Sequence, residues 1–339
     1  MKRKIPYSFI CALLVLLLAG CAGKQAPASP VTRNGFFFDT FVQITLYDTD
    51  DETILDGCME LANRYENMLS RTKEGSDIWN INHAGGKSVA VSEETANLIR
   101  IALSYSARTK GIFDPAIGTV SSLWNFSTEP KGPVPDASEI ENALQHVGYE
   151  KVRVEGNTVT VSDPALQIDL GAIAKGFIAD RFREYLEERG VHSALINLGG
   201  NVLAIGEKPD GSPFQIGIQT PFSGQGQIFA SVPLRGQSLV SSGNYERFFE
   251  ENGVLYHHIL DPATGYPADS GVLGVTILAD DSVDADALST ICFLLGTEKG
   301  LDLIEHTEGA EALFITGTPK DIAGYRTVAS SGFPSAGKP

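Results

Sequence analysis

The sequence predicts an α+β fold, with mixed or antiparallel sheets and helices packed alongside, rather than a doubly wound parallel sheet. Stretches of strand character and stretches of helical 3-4 spacing are grouped along the chain instead of alternating strictly. Several strand runs follow one another between Val202 and Ile259 with no helix among them. Length agrees: beyond an N-terminal signal, ~300 residues remain, enough for one large core or two subdomains.

The chain opens with Lys2, Arg3 and Lys4, continues with an apolar run from Phe9 to Ala19, and reaches Gly20 and Cys21. A basic start, an h-region of about ten residues and a small-residue exit make a secretory signal over residues 1–20. The run falls short of the ~20 apolar residues that a membrane-spanning helix needs. Leu18-Ala19-Gly20-Cys21 looks like a bacterial lipobox, in which the cysteine carries the lipid. An ordinary cleaved signal with an incidental cysteine is the other reading. Lipidation at Cys21 anchors a chain without a transmembrane helix, so the expected address is the cell membrane, lipid-anchored on its extracytoplasmic face. Residues 21–34 are short of large apolar groups and read as a tether. The working domain is expected over 35–325 and a flexible C-terminal tail over 326–339.

Within the domain, Phe36 to Tyr47 alternates as a strand. Helices are predicted over Asp51 to Leu69 and Glu93 to Thr109 from their apolar spacing. Trp124 to Asp136 is rich in Pro and Gly and reads as a surface excursion. Val152 to Val161 is a hairpin turning at Gly156-Asn157. A helix from about Ala172 to Arg189 leads through Gly190 into a strand over Ala194 to Asn197. A strand over Val272 to Leu278 precedes a helix over about Asp284 to Leu295. Cys58 and Cys292 fall in phase with apolar neighbours on predicted helices, which favours buried thiols over a disulfide between them. No Cys/His spacing suggests zinc.

The formal charge is -16 over 339 residues. Loss of the signal would remove three cations and deepen it. Such a balance excludes nucleic acid as a general partner, and it calls for a metal ion wherever a phosphate ligand is handled.

Four constellations could carry chemistry. In Asp281-Ser-Val-Asp284-Ala-Asp286-Ala-Leu-Ser-Thr290 a strand ends and an apolar helix begins. Asp286 and Thr290, four apart, share a helix face, and their oxygens suit Mg²⁺; ordinary capping acids are the alternative. Asp169-Leu-Gly-Ala172-Ile-Ala-Lys175-Gly176 joins a strand to a helix, with Lys175 one turn in as a point charge for a phosphate. It is not a Walker loop. Glycine turns at Asn197-Leu-Gly199-Gly200-Asn201 and Ser241-Ser242-Gly243-Asn-Tyr245 let a backbone approach a ring or a phosphate, or are plain turns. In Tyr256-His-His258-Ile-Leu-Asp261 a histidine beside an acid suits a general base. Adjacent strand residues face opposite ways, so only one histidine enters a given site.

Taken in order, six stretches resemble the ApbE family, the FAD:protein FMN transferases. They are FDPAIG at 113–118, IDLGAIAKG at 168–176, NLGGN at 197–201, SSGNYERFF at 241–249, HHILDPATGYP at 257–267 and DADALST at 284–290. The resemblance implies an ApbE-like (T-fold-like) architecture and Mg²⁺-dependent transfer of the FMN moiety of FAD to a Thr or Ser hydroxyl of an exported flavoprotein, with release of AMP. It implies acceptors among subunits of respiratory or electron-transfer complexes. By the same resemblance Ala172, Asp286 and Thr290 hold Mg²⁺, and His258 and Asp286 are catalytic. Phe38, Thr72, Ile112, Phe113, Asp114, Asp169, Lys175, Gly199, Gly200, Ser242, Gly243 and His258 contact FAD. Two positions depart from the family. Phe38-Asp39-Thr40 stands where Met-Gly-Thr is common, and Thr72 stands where many members stack a tyrosine on adenine. Thr72 cannot stack, which keeps hydrolysis of FAD to FMN and AMP as the alternative activity; a flavin-binding lipoprotein without catalysis is another.

Overall fold

The computed structural model describes residues 29–224 and 226–335. Cys11, Cys21 and the expected signal lie outside the described residues. In chain order the elements are β1 (Val31–Phe37), β2 (Thr40–Leu46), α1 (Glu52–Leu69), α2 (Asp77–Asn82), β3 (Val89–Ala90), α3 (Glu93–Thr109), α4 (Gly118–Ser121) and α5 (Ala137–Leu144). There follow β4 (Val152–Glu155), β5 (Thr158–Val161), α6 (Ala174–Glu187), β6 (Ser193–Leu198), β7 (Asn201–Gly206), β8 (Phe214–Gln219), β9 (Ile228–Leu234) and β10 (Ser238–Gly243). The last are β11 (Phe248–Glu251), β12 (Val254–His257), β13 (Val272–Ala279), α7 (Ser282–Glu305), β14 (Ala310–Thr316) and β15 (Arg326–Ala329).

An eight-stranded sheet in the order β1-β2-β6-β7-β10-β13-β14-β15 is the frame, and every neighbouring pair in it is antiparallel. Strand side chains alternate between its faces. One set, including Ile44, Ile196, Val240, Ile277 and Phe314, packs with α1, α6 and α7 in the main core. The other set, including Ala204, Leu239, Leu278 and Leu313, packs under the β8-β9 hairpin. Central strand β13 is buried at all eight positions because both its faces are covered. A third cluster joins Trp124, Phe126, Ile140, Phe249 and Leu260 beside the sheet.

Helix α3 and the β4-β5 hairpin follow the sequence pattern closely. Elsewhere the structure differs for identifiable reasons. Phe36 to Tyr47 is not one strand: the chain reverses at Phe38-Asp39, whose φ values of 57° and 55° make a two-residue hairpin turn without the usual glycine. Pairing in β1 begins at Val31, inside the segment expected as a tether. Arg326–Ala329, expected in a flexible tail, forms edge strand β15 on β14. The Trp124 to Asp136 excursion is irregular, yet Trp124 and Phe126 are buried and fix it to the third cluster. Helix α6 starts at Ala174 because Ile173 is not helical, and α7 runs on to Glu305 across a break at Gly296. Cys58 and Cys292 are both buried free thiols, and burial pushes each up to about 12.

Candidate active site

The site is founded on the crossing of α6 and α7. At Gly176 an added Cβ would lie 2.2 Å from the Ser282 carbonyl oxygen and 2.7 Å from the Asp286 Cβ, so only glycine lets the helices approach this closely. The approach lets the Gly176 N–H donate to Asp286 Oδ2 at 2.9 Å. Gly176 is the third residue of α6, so its N–H has no partner within the helix. Lys175 Nζ reaches Asp286 Oδ1 at 3.4 Å, and the carboxylate is only 3% exposed. Thr290 lies one turn further along α7.

These groups line a cleft of about 1450 Å³. Of the site residues expected from sequence within the described chain, it gathers all but Gly243. Gly243 is instead buried beside the Tyr245 ring, which an added Cβ would meet at 2.3 Å. Ser242 stays at the cleft, its hydroxyl 2.7 Å from that of Ser289.

The facing wall consists of turns. The Phe38 N–H donates to Glu66 Oε1 at 3.1 Å, and Arg247 Nη2 donates to the Asp39 carbonyl at 3.2 Å. Gly199, at φ 62°, closes the β6-β7 turn directly against Thr40. Asp169 accepts from the Gly171 N–H (2.9 Å) and the Ser121 hydroxyl (2.7 Å), and pairs with Arg71 Nε at 3.6 Å. Arg71 Nη1 also donates to the Ser122 hydroxyl at 2.7 Å. Both Asp114 oxygens accept backbone N–H groups, from Ala116 and Tyr149. Burial, only partly offset by those bonds, pushes its carboxyl up to about 6. Ile112 and Phe113 flank it, and Thr72 stands exposed at the rim.

The two adjacent histidines divide as strand geometry requires. His257 points into the core, bonded to the Ala268 carbonyl at 3.1 Å and set edge-on to Phe293. Burial pushes it down to about 4. His258 faces the cleft, with Nδ1 3.3 Å from the Arg247 carbonyl. Donation through Nδ1 leaves Nε2 as an acceptor. Burial first, then the charges of Arg247 and Lys175 and the neighbouring His257, push its pKa down to about 3, so the ring is neutral at ordinary pH.

Sequence reasoning missed several cleft residues: Phe36, Phe41, Arg71, Trp124 and Arg247. Phe36 and Phe41 are directly paired across the β1-β2 hairpin, 71% and 53% exposed at the rim. Phe41 alternates with buried Val42, Ile44 and Leu46, and cross-strand pairing places Phe36 beside it on the same face. Arg71 and Arg247 gave no signal, since each acts through a partner distant in sequence.

Among the described residues no group of three or more His, Cys, Asp or Glu could hold a metal ion. What the α6-α7 crossing offers instead is one buried carboxylate, a hydroxyl and a backbone carbonyl. Such an all-oxygen set fits a hard cation that draws its other ligands from water or phosphate.

An antiparallel α+β frame with a deep cleft, a lysine paired to a buried carboxylate and a neutral histidine defines an enzyme acting on a large polar ligand. The particular family is equally plain: the chain belongs to the ApbE family, whose model matches residues 38–314. It is 39% identical to a FAD:protein FMN transferase of Klebsiella pneumoniae, over 81% of this chain and 85% of that one. It is 35% identical to one of Treponema pallidum, over 93% and 92%. Among solved structures it is similar to the ApbE protein of Thermotoga maritima, with a TM-score of 0.80 at 35% identity, covering 89% of this chain and 97% of that one. It is also similar to the flavin transferase ApbE of Vibrio cholerae, with a TM-score of 0.79 at 28% identity, covering 91% and 99%.

Proposed function

We propose that this protein is a FAD:protein FMN transferase: it moves the FMN moiety of FAD to a Thr or Ser hydroxyl of an exported flavoprotein and releases AMP. The observation that carries the reading is the meeting of Lys175, Asp286, Thr290, Ala172 and His258 in one cleft. In this reading the acceptor oxygen forms a bond to the FMN phosphorus while the bond from that phosphorus to the bridging oxygen breaks. AMP leaves with the bridging oxygen. The acceptor's hydroxyl proton passes to His258 Nε2, which its neutrality leaves free to take it.

Asp286, Thr290 and the Ala172 carbonyl would hold Mg²⁺, which would neutralise phosphate charge. Lys175 adds a second positive charge on the same side. The nucleophile belongs to the acceptor, so the chain needs no activated Ser or Cys of its own. With Cys21 lipidated, the enzyme sits on the extracytoplasmic face of the cell membrane. Acceptors are then exported subunits of respiratory or electron-transfer complexes.

Incubation of the mature protein with FAD, Mg²⁺ and an acceptor carrying a flavinylation threonine should give a fluorescent flavin band on a denaturing gel. No band, with acceptor and metal verified, refutes the proposal. A second reading, FAD hydrolysis, is favoured by Thr72, a short exposed side chain where a stacking aromatic would order the adenine. Rapid release of AMP and free FMN without acceptor would establish it.

A further inference from the structure

We propose that Asp180 is a positioning residue that sets the register of α7 on α6 and thereby holds Asp286 in place. The inference rests on the reading of Asp286 as a cation ligand.

The first turn of any helix has N–H groups without intrahelical partners. In α7 the residue at the capping position, Asp281, makes no side-chain cap. The donors are served from another helix: Asp180 Oδ1 accepts the Ser282 N–H at 3.0 Å, and Oδ2 accepts the Val283 N–H at 2.9 Å. Asp180 is 5% exposed. Arg183, one turn on, donates to Asp180 Oδ1 at 2.8 Å, to Asp281 Oδ1 at 2.7 Å and to the Asp280 carbonyl at 2.8 Å. The Ser282 hydroxyl continues the tie into the sheet through Asn201 and Ser238, each at 2.9 Å.

The spacing gives this cap its consequence. Gly176 and Asp180 are one turn apart on α6, and Ser282 and Asp286 are one turn apart on α7. Asp180 meets Ser282 on one rung, and Gly176 meets Asp286 on the next. Two carboxylate oxygens on two successive N–H groups fix both the rotation and the height of the first turn of α7. A slip of one residue would rotate Asp286 by ~100° away from Gly176 and Lys175. Asp180 itself does not line the cleft, so it acts through Asp286.

The test is Mn²⁺ and Mg²⁺ binding by titration calorimetry on the folded wild type, Asp180→Asn, Asp180→Ala and Asp286→Ala. Phe182→Leu, a core change on the same helix with no bond to α7, serves as the stability control. Asp180→Asn should weaken metal binding by roughly 10- to 100-fold. In transfer assays it should raise the Mg²⁺ requirement in parallel, with turnover largely restored at saturating metal. Phe182→Leu should lower the melting temperature and leave metal affinity alone. If Asp180→Asn folds and binds metal like the wild type, the proposal is overturned. An equal loss of affinity in Phe182→Leu would also overturn it, by reducing the effect to stability. If the wild type binds no cation, or Asp286→Ala binds it unchanged, the metal reading itself has failed. Should Asp180→Ala not fold, Asp180→Asn carries the comparison.

Discussion

The two walls of the cleft are built by opposite means. The α6-α7 wall is made by packed helices, and its functional groups arrive through backbone contacts: the Gly176 N–H on Asp286, and the Ser282 and Val283 N–H groups on Asp180. The facing wall is made of turns, including Phe38 and Asp39 in left-handed backbone, and is held by long side chains such as Glu66, Arg71 and Arg247. Groups that must meet reacting atoms are best carried on rigid elements, while recognition tolerates and uses loops. In the proposed reading the cation and phosphate chemistry falls to the helices, and the variable contacts with the rest of the ligand fall to the turns.

Substitutions can break that contrast, and their expected effects descend in order. Asp286→Ala should reduce transfer by about a thousandfold or more while leaving much of the FAD affinity, which the proposed reading assigns to the turn wall. Fluorescence titration beside an initial-rate assay separates the two, and unchanged turnover would remove Asp286 from the chemistry. Gly176→Ala comes next. A Cβ 2.2 Å from a backbone carbonyl cannot be relieved by a side-chain rotation, so the helices must part, at a cost of ~3 kcal/mol. Urea denaturation that matched the wild type would show the crossing to be pliable.

Acid should act instead through the core, where His257 packs edge-on to Phe293. Folding depresses the His257 pKa from 6.5 to about 4. Between those values the unfolded chain binds a proton that the folded chain excludes, so the stability from this site is complete above pH 6.5 and is lost as pH falls towards 4. The full contribution is roughly 3 kcal/mol. Asp114, raised from 3.8 to about 6, works in the opposite sense over an overlapping range. The difference between wild type and His257→Gln therefore isolates the histidine: the variant should lose less stability from pH 6.5 to 4.5. Parallel pH curves would disprove it. The smallest effect should come from Asp39→Gly, which relieves left-handed backbone at an exposed turn and should stabilise by ~0.5 kcal/mol, visible as a slightly higher melting temperature.

The same contrast governs what could be read from the sequence. Helix-wall residues stand in two short contiguous stretches, 168–176 and 284–290, where spacing reports a shared face directly. Spacing accordingly singled out Asp286, Thr290 and Lys175, the resemblance added Ala172, and all four line the cleft. The turn wall was only partly legible. The Phe38-Asp39 reversal carries no glycine, so a hairpin read as one strand. Trp124 and Phe126 sit in a Pro/Gly-rich stretch whose composition says surface, although tertiary contacts bury them. Gly243 reads as a ligand contact because a glycine at a strand end admits one, whereas the structure buries it beside the Tyr245 ring, off the cleft lining. Asp180 was invisible for a related reason. A cap is sought just ahead of its helix, and this one comes from a separate element.

One detail of the first strand sets a length scale. Pairing in β1 starts at Val31, ten residues beyond Cys21. A fully extended chain spans at most ~3.3–3.6 Å per residue, so with the proposed lipid the domain is leashed within roughly 35 Å of the bilayer. Catalysis is then confined to a thin layer above the membrane, and an acceptor is selected by the height at which it presents its hydroxyl as well as by its sequence. A Gly/Ser spacer inserted after Cys21 should extend modification to acceptors whose target residue stands farther from the membrane; an unchanged set of labelled proteins would show that height plays no part.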